Sequence, residues 1–180
     1  MIYFTSDLHF FHKNIAKHCP ATRPYSSVVE MNEWLIKNHN SVMLDTDTLY
    51  ILGDVSFGNS AQTLEVLKRM NGQKIVIRGN HDKWLDSTSY RSLAEVGVIQ
   101  VHDLLEVKLE RQRFILCHYA MRTWNQQHRG SIHLFGHSHG SLPGFGKSMD
   151  VGWDALGQYI SLPEVLELME HTPIATEDRH

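Results

Sequence analysis

Five short apolar runs in this sequence each end in carboxylate, amide or imidazole side chains, and this feature restricts the fold most. Ile2-Tyr3-Phe4-Thr5-Ser6 leads into Asp7-Leu8-His9, and residues 48–52 lead into Gly53-Asp54. Residues 74–78 lead into Gly79-Asn80-His81-Asp82, residues 114–117 into His118, and residues 131–135 into Gly136-His137-Ser138-His139. Runs of this length and β-branched, aromatic content read as strands. Ligands of α/β sheets gather beyond the carboxyl ends of the strands. A fold that sets these strands side by side therefore collects Asp7, His9, Asp54, Asn80, His118, His137 and His139 in one place.

The intervening segments supply helices. Residues 27–43 put Val28, Met31, Trp34, Leu35 and Asn38 on one face, with Ser27 and Glu30 spaced as a capping box. Residues 60–70 carry Leu64, Leu67 and Met70 in one stripe, and Asn71-Gly72 stops them. A short helix is predicted over 88–96, a strand over 98–102, and a hairpin over 104–117 turning near Arg111. Residues 158–162 read as extended, and Pro163 opens a helix to about Met169. From about Thr172 the chain is expected to fray. The opening third is βαβα and the later part is hairpin-rich. An α/β fold follows, with a mixed sheet or two sheets packed between helices, in a single domain over residues 1–180.

Composition narrows the setting. No apolar run reaches the ~20 residues of a membrane span, and the N-terminus lacks the basic and apolar regions of a secretory signal. Two cysteines, Cys19 and Cys117, cannot form a disulfide framework, so a reduced, cytoplasmic compartment is expected. Cys117 is expected to be buried and inert, and Cys19 to be a loop thiol. The net charge of -3 argues against non-specific duplex binding, which needs a basic surface. The 13 histidines exceed ordinary usage, and five of them (His9, His81, His118, His137 and His139) lie in the strand-end clusters. The others, among them His18, His39, His102, His133, His171 and His180, are read as solvated or core residues. His12 is close enough to His9 to stand at the rim.

The donor set mixes oxygen and nitrogen without paired thiols, which disfavours structural zinc and iron–sulfur sites. Carboxylate with imidazole suits Mn²⁺, Fe or Zn²⁺ in a hydrolytic centre. Asp7 with His9, and His137 with His139, are spaced i, i+2; on an extended backbone each pair faces one side. Seven candidates exceed one tetrahedral ion and fit two ions sharing a carboxylate. Two metals roughly 3.5–4 Å apart activate water and clamp a phosphoryl group.

In order, Asp7-x-His9, Gly53-Asp54, Gly79-Asn80-His81-Asp82, the lone His118 and Gly136-His137-x-His139 resemble the motifs of the calcineurin-like metallophosphoesterase superfamily, in its small single-domain bacterial and phage form. The resemblance implies a double β-sandwich of two mixed sheets flanked by α-helices. It implies that Asp7, His9 and His139 bind one metal, that Asn80, His118 and His137 bind a second, and that Asp54 bridges them. It further implies that His81 faces the substrate phosphate and assists the leaving group, with Asp82 as its orienting partner. Two divalent ions are expected, Mn²⁺ first, with Fe, Zn²⁺ or Ni²⁺ as alternatives.

The expected chemistry is phosphodiester hydrolysis of a small phosphoester such as a nucleotide or cyclic nucleotide. Hydroxide from the shared water attacks phosphorus in line, and His81 protonates the departing oxygen. A nuclease or nucleic-acid-end phosphatase is the alternative, using Arg78, Arg122, Arg129 and Lys147 as a basic track; a metal-binding scaffold without chemistry is the third reading. Around the motifs, Arg78 binds phosphate or makes a structural salt bridge. Arg122 grips a phosphate oxygen or lies on the surface, and Trp124 stacks on a base or packs inward. His128 and Arg129 are weaker candidates for substrate contact. Asp150 supports a ligand histidine or serves a turn. Membrane contact is not expected, and the oligomeric state is open.

Overall fold

The computed structural model describes residues 1–175. In chain order the elements are β1 (Ile2–Thr5), α1 (Ile15–His18), α2 (Val28–Val42), β2 (Thr48–Ile51), α3 (Ser60–Lys68), β3 (Gln73–Ile77), α4 (Tyr90–Glu95), β4 (Val98–His102), β5 (Leu104–Leu109), β6 (Gln112–Cys117), β7 (Ile132–Phe135), β8 (Ser148–Asp150), α5 (Trp153–Leu156), β9 (Ile160–Ser161) and α6 (Leu162–Glu170). They form two mixed sheets with flanking helices. One sheet runs β4-β3-β2-β1-β9, parallel except for β9; the other runs β5-β6-β7-β8, with only the β5–β6 hairpin antiparallel.

Strand side chains alternate, so each central strand feeds two cores. On β2 and just beyond it, Leu49 and Ile51 pack toward Leu35, Ile36 and Leu67 of the helices. Tyr50 and Leu52 instead join Phe4, Ile75 and Ile77 against Phe114, Leu116, Ile132 and Leu134 of the second sheet. Parallel strands covered on both faces need such near-continuous apolar runs. Phe4 sits at the junction, with its ring centroid 5.3 Å from Tyr50 and 5.8 Å from Phe114. Phe4→Ala there removes a fully buried ring and costs about 3–5 kcal/mol.

Several elements differ from the sequence expectation. The buried face of α2 is Met31, Asn32, Leu35, Ile36 and His39, so the stripe is rotated by about one residue; Trp34 stands 40% exposed beside Tyr25 and Trp153. Ser27 does accept from the Glu30 N–H, but the Glu30 carboxylate turns to Ser26 rather than completing the box. α1, β8, α5 and the 3-10 turns at Lys83–Ser87 and Gln127–Arg129 were not foreseen; three to five residues are too few to display a period. Of the segment expected to fray, Ile174 lies against Gly130 and Ala175 against Gly146. The rest of that expectation falls on 176–180, outside the described residues.

Candidate metal centre

The seven candidate ligands meet at the carboxyl ends of β1, β2, β3, β6 and β7, in the loops that follow them. The i, i+2 pairs are not held by pleated strand as expected. Asp7, His9, Asp54, His137 and His139 all have positive φ, at 57°, 53°, 53°, 68° and 48°. Left-handed backbone costs a non-glycine residue about 1–3 kcal/mol, and such outliers cluster where surrounding structure over-determines them. Here the loops after β1 and β2 are laced together: the N–H groups of Asp7 and His9 donate to the carbonyls of Gly53 and Asp54, each at 3.0 Å. Close approach also requires glycine. A Cβ on Gly79 would stand 2.3 Å from the Asp54 carboxylate, and one on Gly136 would stand 1.9 Å from Ser6 Oγ.

The donor atoms fall into two groups, Asp7–His9–His139 and Asp54–His118–His137, each within 4.8 Å of one another. Asp7 and His118 are fully buried, and His9 and Asp54 nearly so. Asp7 Oδ1 lies 3.6 Å from His9 Nε2 and 4.0 Å from His139 Nε2. Yet Asp7 Oδ1 and both His9 ring nitrogens lack a hydrogen-bond partner. Orphaned buried polar atoms each cost about 1–3 kcal/mol, and a divalent cation between Asp7 Oδ1 and His9 Nε2 would remove that penalty at those two atoms. His118 gives the same sign. Its Nδ1 bonds the Leu52 carbonyl at 2.7 Å, so that nitrogen carries the proton and Nε2 turns a lone pair inward, 3.0 Å from Asn80 Oδ1. Two acceptors at that distance fit a shared cation. The residues present therefore suit divalent metal.

Electrostatics prepare the ligand forms. Burial works to raise the Asp7 carboxyl, but the imidazoles of His9, His118 and His139 together more than reverse it, and the pKa lies below the usual value. Burial lowers His9, favouring the neutral imidazole that metals bind. The bond that the His139 ring donates to the Asp154 carboxylate raises the pKa of His139, which favours its protonated form while no metal is bound.

Two residues passed over in the sequence hold this site. Asp154 Oδ2 lies 2.7 Å from His139 Nδ1, so the ring donates there and turns Nε2 toward Asp7. Fully buried Arg23 clamps Asp154 with two bonds, at 2.9 and 3.0 Å, and also donates to the backbone carbonyls of Asp7 and Leu8. Burial acts to raise the Asp154 carboxyl, but His139 and Arg23 hold it well below the carboxylate range. Asp154 reads locally as an acid in the first turn of α5, and Arg23 as a loop cation, so neither carried a signal. Cys19 also stands nearer the site than expected, with Sγ 3.8 Å from His139 Nδ1. Burial lifts its thiol to about 11, so it stays protonated. Cys117 is buried, as read.

The residues around the ligands divide between the open rim and the packing beneath it. The His81 ring stands at the open rim with Nε2 4.0 Å from Asp54 Oδ2, and its backbone N–H bonds Asp54 Oδ1 at 2.9 Å. Asp82 does not orient that ring. Its carboxylate accepts from the N–H groups of Asp54, Val55 and Gly79 and from Trp84 Nε1, so it staples the loops after β2 and β3 instead. Asp150 likewise acts on a loop and not on a ring, accepting from Ser138 Oγ and the N–H groups of Gly140 and Gly152. Trp124 is a packed aromatic rather than a substrate platform: it is 8% exposed, against His133, with its N–H on the Ser131 carbonyl. Arg78 makes salt bridges to Asp86 at 2.6 Å and Asp103 at 3.7 Å, on the wall of a hollow of about 380 Å³ shared with Asn80, Lys83 and Tyr119. The Arg122 guanidinium lies over Phe145, 5.3 Å from the ring centroid. His12 reaches the rim, 5.5 Å from His9. His133 is a satisfied core histidine, bonded to the Ile115 carbonyl and the Met121 N–H. Phe57, not singled out in the sequence, presents an exposed ring beside His9, His12 and His81.

The profile of the calcineurin-like phosphoesterase superfamily domain matches residues 1–145. The chain belongs to that superfamily and carries its metal-dependent phosphoesterase domain. Among curated relatives, an uncharacterized protein of Methanocaldococcus jannaschii is 49% identical over 85 residues, which is 46% of this chain and 47% of that protein. This chain thus matches only about half the length of that relative. The Gene 66 protein of Mycobacterium phage L5 is 27% identical over 197 residues, covering 94% of each chain. A solved structure of a protein of unknown function from Aquifex aeolicus shares the fold, with a TM-score of 0.69 at 24% identity over 93% of this chain and 98% of that one.

Proposed function

We propose that this protein hydrolyses a phosphodiester bond in a small phosphoester such as a nucleotide or cyclic nucleotide, at a centre of two divalent ions with Mn²⁺ preferred. One observation carries the reading: the Asp54 carboxylate faces both ligand groups, with Oδ2 3.7 Å from His9 Nε2 and Oδ1 3.6 Å from His118 Nε2. Asp7, His9 and His139 would hold one ion, Asn80, His118 and His137 the other, and Asp54 both. Bound there, the ions supply Lewis acidity and lower the pKa of water toward neutrality.

The chain's own residues supply the rest. Asp7, buried beneath the centre, spends Oδ2 on the His137 N–H and so keeps Oδ1 aimed at His9 and His139. Asp82 fixes the backbone of Asp54 and Gly79, which holds the shared carboxylate still as charge moves. Asn80, His81, His137 and Tyr119 are exposed, so a phosphoester reaches the centre from that side. His81 holds a proton for the departing oxygen, a contribution of about 10²–10⁴-fold by the usual scale of general acids. Arg78 is tied to acidic side chains, and Lys147 donates to the Met169 carbonyl beside α6, so neither extends a basic track from the site. A reduced, cytoplasmic setting goes with the two free cysteines. Among the described residues no helix is long and apolar enough to cross a membrane.

Stripping the protein with chelator and returning Mn²⁺, Zn²⁺, Mg²⁺ or Ni²⁺ tests the proposal. The expected result is metal-restored cleavage of an aryl phosphodiester, faster than the matching monoester, with two ions bound per chain. Two bound ions without turnover of either ester would overturn it.

A further inference from the structure

The ring of His81 has no hydrogen-bonding partner among the described residues, although general-acid work requires a held imidazole. Its neighbour Asp82, the expected partner, has its carboxylate filled by four N–H donors. The closest ring to His81 is that of Phe57, with centroids 4.3 Å apart and planes inclined by 29°. Phe57 is 41% exposed, so burial alone does not explain its position. The ring is nonetheless well located. Its backbone N–H donates to the Phe10 carbonyl at 2.8 Å, directly after the β-bridge between Phe10 and Ser56. His12 meets it edge-on at 4.1 Å, and His9 lies 5.3 Å away. The loop that carries Asp54 thus also carries, three residues on, the surface against which His81 rests.

We propose that Phe57 is the positioning residue of His81: its ring face, in place of a carboxylate, holds the imidazole over the Asp54 side of the centre. The proposal rests on the phosphodiesterase reading above for the role of His81, and it assigns Phe57 no contact with the reacting atoms. A stacked ring of this kind contributes a modest orienting energy, and misplacement of an acid by about 1 Å is expensive in rate.

The test pairs kinetics with a signal that needs no turnover. Phe57→Ala should lower kcat for a diester with a poor, alkyl-type leaving group by about three- to tenfold, the range set by one aromatic pair. It should leave KM and the cleavage of a good, nitrophenyl-type leaving group nearly unchanged. Phe57→Tyr should restore the wild-type rate. In the His81→Ala background, adding Phe57→Ala should cost nothing more, because both changes remove the same interaction. In NMR spectra of the full chain labelled at histidine, the His81 ring protons should be displaced upfield by the Phe57 ring current. The displacement should vanish in Phe57→Ala and persist in Phe57→Tyr.

A rise in KM at constant kcat would overturn the proposal, as would equal slowing of good and poor leaving groups, or full additivity in the double variant. Unchanged His81 resonances in Phe57→Ala would overturn it as well. If the wild-type protein turned over no phosphoester, the function proposal would fail, and the NMR comparison would still decide whether Phe57 holds the ring.

Discussion

In the Asp7–His9–His139 group, the outermost histidine is oriented by a carboxylate, Asp154, which a fully buried arginine clamps from behind. In the Asn80–His118–His137 group, the orienting partner of His118 is a neutral backbone carbonyl, and both Asn80 and His137 are exposed. A carboxylate behind an imidazole raises its basicity toward a metal, and a peptide carbonyl does so less. On the function proposed above, the first group would retain its ion and the second would face substrate, with Asp54 shared between them.

Four expectations would break or sharpen that contrast. The largest is common to both groups: Asp54→Ala should lower turnover about 10³-fold, the scale of losing a central electrostatic element. Elemental analysis should find both ions reduced, and retention of two would deny Asp54 its shared role. Next, Arg23→Met should leave the Asp154 carboxylate buried without its clamp. The cost should be about 3–5 kcal/mol, as for other broken buried pairs, read as a fall in unfolding free energy in urea. An unchanged denaturation midpoint would remove the clamp from the comparison.

Asp154→Asn should weaken metal binding in the first group about 10–100-fold, while the second group serves as an internal control in the same titration. Equal weakening at both groups would show that the contrast is not local. The smallest effect is one of pH. The His139 pKa is raised in the folded protein, so its contribution to stability is complete below the unfolded value near 6.5 and is lost as pH rises through the folded value. Metal-free wild-type protein should therefore lose the His139 part of its stability advantage over Asp154→Asn as pH climbs above about 6.5. Thermal melts of the two across that range give the difference directly, and a constant difference would rule out the pairing as its source.

The strand-end clusters were readable because they are local. An apolar run of five residues declares a strand, and the carboxylate or imidazole that follows declares where the strand leads. Glycine at 53, 79 and 136 marked the turns for the same reason. Helix α2 was legible in its extent but not in its face, since the face depends on which side the first sheet covers. Asp82 shows the limit more sharply. Its neighbour in sequence is His81, yet two of its four partners are the N–H groups of Asp54 and Val55, 28 and 27 positions away in the loop after β2.

The sequence alone thus determined the strands, the order of the ligands, the family pattern and the donor chemistry, because each is written in residues a few positions apart. Only the tertiary structure decided how the ligands are held. The left-handed backbone at Asp7, His9 and Asp54 goes with bonds between two separate loops. Arg23 reaches Asp154 across 131 residues, and Phe57 meets His81 only because β2 and β3 lie side by side. Which hydrogen-bond donor or ring face becomes a partner is set by packing between distant segments, and no local spacing encodes that choice.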